Sequence, residues 1–79
     1  MIDLPPMTPP LKHSVTIEGH RTSVSLEDAF WRALGQEADR LGMTRATLIG
    51  QIDRNRPSGI GLATALRLFV LSEMQKRND

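Results

Sequence analysis

The chain has no cysteine and no tyrosine, and only one tryptophan and two phenylalanines in 79 residues. Without cysteine there is no disulfide framework and no thiolate metal site. Two histidines, His13 and His20, are too few to build a structural zinc site alone. Long hydrophobic runs are missing as well. The longest is Leu68 to Leu71, far short of the ~20 apolar residues that span a bilayer. No basic region followed by an apolar stretch marks the N-terminus as a signal peptide. Charge of one sign is in short supply: ten bases against nine acids leave a formal +1, a weak footprint for nucleic acid. Eight of the ten bases are arginine, which favours planar recognition of phosphate or carboxylate.

What is present must therefore support itself. A chain of this length forms one domain and buries only about 60% of its unfolded surface. With disulfides and metals excluded, association with a second copy is the remaining staple.

Residues 1–12 hold Pro5, Pro6, Pro9 and Pro10 and read as a disordered, proline-rich arm. The domain is expected over 13–77. From His13 to Glu18, Val15 and Ile17 alternate with Ser14, Thr16 and Glu18. From Arg21 to Leu26, Thr22, Val24 and Leu26 alternate with Arg21, Ser23 and Ser25. Period two with β-branched residues predicts two strands, and Gly19-His20 between them suits a two-residue type II′ turn. That turn places Glu18 opposite Arg21, Thr16 opposite Ser23 and Val15 opposite Val24, with one apolar face and one rich in hydroxyls.

Three helices follow. The first starts at Ser25 or Leu26, with Ser25 to Asp28 as a capping-box variant. Its apolar stripe is Leu26, Phe30, Leu34, Ala38 and Leu41, widened by Ala29, Trp31 and Ala33. Gly42 closes it as a left-handed cap. Thr44 caps the second, which runs to about Arg56 and buries Ala46, Leu48, Ile49 and Ile52. Gly35 and Gly50 read as places where a neighbouring helix approaches. Pro57-Ser58-Gly59 ends the second helix, and a third runs from about Gly61 to Lys76. Asp28, Glu37, Asp39 and Asp53 read as solvated helix positions, Asp28 paired with Arg32 at i,i+4. The histidines have no cysteine or acid beside them, and no phosphate-binding glycine loop follows a strand. The expectation is therefore no enzyme, no cofactor and no metal.

The order of alternating strand, capped helix, glycine turn and second capped helix resembles the ribbon-helix-helix family of small dimeric DNA-binding proteins. Thr22-Ser-Val-Ser-Leu-Glu-Asp-Ala-Phe-Trp31 and Gly42-Met-Thr-Arg-Ala-Thr-Leu-Ile49 carry the resemblance. It is nearest to a bacterial subgroup with an added N-terminal strand and C-terminal helix. The implied fold is mostly α with a short β-ribbon: a hairpin and three helices in an intertwined homodimer. The resemblance implies base contacts from Arg21, Ser23 and Ser25 with the ribbon in the major groove. It implies phosphate contacts from Thr44, Arg45, Ala46 and Thr47 at the N-terminus of the second helix. It implies a dimer core of Val24, Leu26, Phe30, Trp31, Leu34, Leu48, Ile49 and Ile52. Partners would be a second copy and double-stranded DNA, in the cytoplasm and away from membranes. The competing reading is an adaptor of the same fold that binds protein through the hydroxyl face, the arm or a groove on the third helix. The near-neutral charge favours that reading. So does sheet width: four strands at about 4.8 Å spacing exceed a major groove about 12 Å wide.

Overall fold

A computed structural model describes residues 1–78. Residues 1–10 have no regular structure and are exposed throughout. Strands β1 (Leu11–Ile17) and β2 (His20–Leu26) form an antiparallel hairpin, and helices α1 (Asp28–Arg40), α2 (Arg45–Asn55) and α3 (Leu62–Arg77) follow. This is the order read from the sequence, with β1 starting two residues earlier.

The turn differs from the one expected. Glu18 and Gly19 are its central residues, with φ of 51° and 81°. Two positive φ values in succession are what a type I′ turn requires. Glycine takes the second position freely, and Glu18 accepts the left-handed conformation. Thr16 therefore faces Arg21, Ser14 faces Ser23 and Val15 faces Thr22. Each partner has moved by two residues. Because side chains alternate with period two, that shift exchanges partners without exchanging faces. Glu18 no longer meets Arg21; its carboxylate accepts from Arg54 Nη1 on α2 at 2.8 Å.

The start of α1 also differs. Ser25 is still paired in the sheet, opposite Lys12, and cannot cap. Glu27 occupies the N-cap position but makes no capping bond with its side chain. Instead it accepts from Arg67 Nε on α3 at 2.9 Å. This hydrogen bond, reinforced by the charge of Arg67, holds the Glu27 carboxyl below its ordinary range. At the other end Gly42 has φ of 73°. Its N–H donates to the Asp39 carbonyl at 3.1 Å and the Met43 N–H to the Ala38 carbonyl at 2.9 Å, the paired bonds of a Schellman motif. Thr44 caps α2 as expected, its hydroxyl accepting from the Thr47 N–H at 3.1 Å.

The core gathers Val15, Val24 and Leu26 from the hairpin, Ala33, Leu34 and Ala38 from α1, Leu48 and Ile49 from α2, and Leu66 and Val70 from α3. Of the residues expected at a dimer core, Val24, Leu26, Leu34, Leu48 and Ile49 are buried inside the single chain, while Phe30, Trp31 and Ile52 stay half-buried. Leu41 falls in the C-cap of α1 and is exposed. The Asp28–Arg32 pair forms at 2.9 Å. Glu37, read as solvated, is buried at 2% exposure, clamped by Arg40 at 2.8 Å and by Arg77 at 2.7 Å. Of the two helical glycines, Gly35 has a helix, α2, as its close neighbour, as expected, whereas Gly50 packs against a strand. Gly50 faces Ile17 of β1, and Gly35 faces the side chain of Arg45.

Candidate nucleic-acid interface

The hairpin turns its apolar face to the helices through Val15, Val24 and Leu26. The opposite face presents Lys12, Ser14 and Thr16 from β1 beside Ser25, Ser23 and Arg21 from β2, all six exposed. Arg21, Ser23 and Ser25, the residues singled out from the sequence, thus lie together on one outward surface. Lys12, which sequence reasoning left in the arm, joins them directly across from Ser25. Carrying the alternation of β1 two residues further towards the N-terminus would have found it.

The second surface is the N-terminus of α2. An α-helix leaves its first N–H groups without internal partners. Here Thr44 satisfies that of Thr47, and the N–H groups of Arg45 and Ala46 remain available. The first turn holds no acid. Thr44, Ala46 and Thr47 are exposed and Arg45 is half-buried. The two surfaces adjoin: Ser14 and Thr16 of β1 share with Trp31, Arg45 and Ala46 the lining of a concavity of about 360 Å³.

Charge pairing separates these surfaces from the rest of the molecule. Arg32, Arg40, Arg54, Arg56, Arg67, Lys76 and Arg77 each have a carboxylate within salt-bridge distance. Among the described residues, the bases without one are Lys12, Arg21 and Arg45. Two stand on the outward hairpin face and the third in the first turn of α2. A net charge of +1 hides this, because the acids that form salt bridges are all engaged by the other seven bases.

Arg45 is held in an unusual setting. Its guanidinium carbon sits 4.5 Å from the centre of the Trp31 ring. Trp31 also stacks on His13 of β1, with centroids 3.9 Å apart and planes 5° from parallel. Both Arg45 Nε and His13 Nε2 are buried with no hydrogen-bond partner. On the side of α1 the guanidinium occupies the place where a side chain on Gly35 would begin; a Cβ there would lie 2.9 Å from Arg45 Cζ. Sequence reasoning gave Arg45 a phosphate role but found no link to His13 on β1 or to Trp31 and Gly35 on α1, two elements distant from it in the chain.

No group of three His, Cys, Asp or Glu side chains among the described residues could hold a metal ion. No described helix is long and apolar enough to cross a membrane. Between α2 and α3 lies an apolar concavity of about 630 Å³, lined by Leu41, Leu48, Ile52, Ile60, Leu68 and Phe69 among others. Residues 10–74 match the family described as the ribbon-helix-helix domain. No curated protein and no solved structure matches the chain.

Proposed function

Because this chain belongs to the ribbon-helix-helix domain family, whose members generally bind DNA as transcriptional regulators, we propose that it is a homodimeric, cytoplasmic DNA-binding regulator of bacterial type rather than an enzyme. The outward hairpin face enters the major groove, which admits a two-stranded ribbon. Arg21 reads a base edge there, Ser23 and Ser25 make shorter polar contacts, and Lys12 adds charge. The N-terminus of α2 sits on the backbone, where the N–H groups of Arg45 and Ala46, the hydroxyls of Thr44 and Thr47, and the Arg45 cation meet a phosphate. A second copy doubles both surfaces and sets two related half-sites.

The observation that carries this reading is the distribution of unpaired bases. Lys12, Arg21 and Arg45 lack carboxylates, and they occupy the two surfaces such a complex needs. The test is binding to mixed-sequence duplex DNA at low and moderate salt. Affinity should fall steeply with salt as bound phosphates displace counterions, and Arg21→Ala and Arg45→Ala should each weaken it. A folded protein that binds no duplex even at low salt overturns the reading. The adaptor reading would then take over, favoured by the apolar concavity between α2 and α3.

A further inference from the structure

We propose that Trp31, backed by His13, is a positioning residue for phosphate recognition: it holds the Arg45 guanidinium unpaired and in one place at the first turn of α2, and ties that cation to the ribbon. The proposal rests on the DNA-binding reading and goes beyond it to residues that need not touch DNA.

A free arginine side chain samples many rotamers, and ordering it at an interface opposes binding. A guanidinium is weakly hydrated and stacks on an aromatic face. The Trp31 ring at 4.5 Å supplies that face. Gly35 supplies the space on α1, since no Cβ could coexist with Arg45 Nη2 in this position. Nε is buried, which leaves the Nη groups to donate. No carboxylate competes: Asp39 shares a concavity of about 370 Å³ with Arg45 and Gly35 but makes no salt bridge to Arg45, and Arg32 there is engaged by Asp28. Trp31 is itself pinned by His13, which stands opposite Val24 on the rear of the hairpin. One stack thus runs from the ribbon through α1 to the phosphate-facing turn of α2, and a ribbon seated in the groove carries Arg45 with it.

Gly35→Ala isolates the seat from the fold. The three atoms nearest the added methyl all belong to the end of the Arg45 side chain, which can leave its seat without moving the backbone, and alanine suits a helix better than glycine. We expect undiminished thermal stability, a changed emission from Trp31, the single tryptophan, and weaker DNA binding. The slope of log K against log salt should become shallower by about 0.9 for each phosphate that is no longer neutralised. Arg45→Ala should do the same. Trp31→Leu should weaken binding in the wild-type background and cost nothing further in the Arg45→Ala background, because a residue acting through Arg45 has nothing left to act on. Losses that add in the double variant overturn the proposal, as does unchanged or tighter binding by Gly35→Ala. If the folded wild-type protein binds no duplex, the DNA reading falls and takes this role with it. Wild-type binding with additive losses removes the seat alone.

Discussion

At the scale of single residues, Glu37 shows how a charge survives inside a small core. Burial alone would push its carboxyl up. The hydrogen bonds and charges of Arg40 and Arg77 outweigh that and bring it below the ordinary range. A depressed carboxylate stabilises the fold above its unfolded pKa, and the contribution is lost as pH falls through the folded value. Glu37→Gln should therefore destabilise the protein at neutral pH by ~1.5–3 kcal/mol, the range for a charge-assisted hydrogen bond. Chemical denaturation at several pH values checks this: the gap between variant and wild type should begin to narrow below the ordinary glutamate pKa of about 4.3 and close only as pH falls through the depressed folded value, where Glu37 takes up its proton. A gap independent of pH would mean that Glu37 acts by shape alone. Arg40 was visible in the sequence at i+3, but Arg77 lies forty residues away and only packing of α3 against α1 brings it in. That is why Glu37 read as solvated.

At the scale of elements, the two ends of α1 were not equally legible. The C-terminal stop rests on one residue, Gly42, whose left-handed conformation any side chain with a Cβ resists. We expect Gly42→Ala to cost about 1 kcal/mol. Gly50→Ala, in the middle of α2, should be neutral or stabilising by up to about 1 kcal/mol from helix propensity, since the new Cβ would stand 3.4 Å from Ile17 Cγ2, an ordinary separation. Thermal denaturation of the two variants side by side tests the contrast, and a destabilised Gly50→Ala would mean that α2 and β1 leave no room for a methyl. The start of α1 was misread because β2 continues through Leu26, so Ser25 serves the ladder rather than a cap. The hairpin was legible as two faces and illegible as a register. Alternation reports which side a residue is on, while the turn decides its partner, and here Glu18 rather than His20 joined Gly19 in the turn.

At the scale of the whole molecule, ten apolar side chains form the core, and Leu41, Leu68, Leu71 and Met74 remain exposed. A core that small is marginal for a chain standing alone. The proposed homodimer predicts a thermal midpoint that rises with protein concentration, as mass action requires when folding and association are linked. Arg21→Ala and Arg45→Ala should leave that dependence unchanged, because neither residue is in the core. A monomeric mass with a midpoint independent of concentration would remove the dimer from the proposal. It would leave the charged surfaces of the single chain to be tested separately.

The sequence by itself determined the element order, the two faces of the hairpin, the glycine stop after α1 and the threonine cap of α2. Each depends on residues within a few positions of one another, where periodicity and backbone preference act. It also held the candidate surface, since Arg21, Ser23 and Ser25 share a face by alternation and Arg45 follows a helix cap. Tertiary structure decided which charges are free. Pairings such as Glu18 with Arg54, Glu27 with Arg67 and Glu37 with Arg77 join residues 36 to 40 positions apart, and no local pattern encodes them. Those pairings leave Lys12, Arg21 and Arg45 unpaired, and the meeting of His13, Trp31, Gly35 and Arg45 exists only once β1, α1 and α2 have packed together.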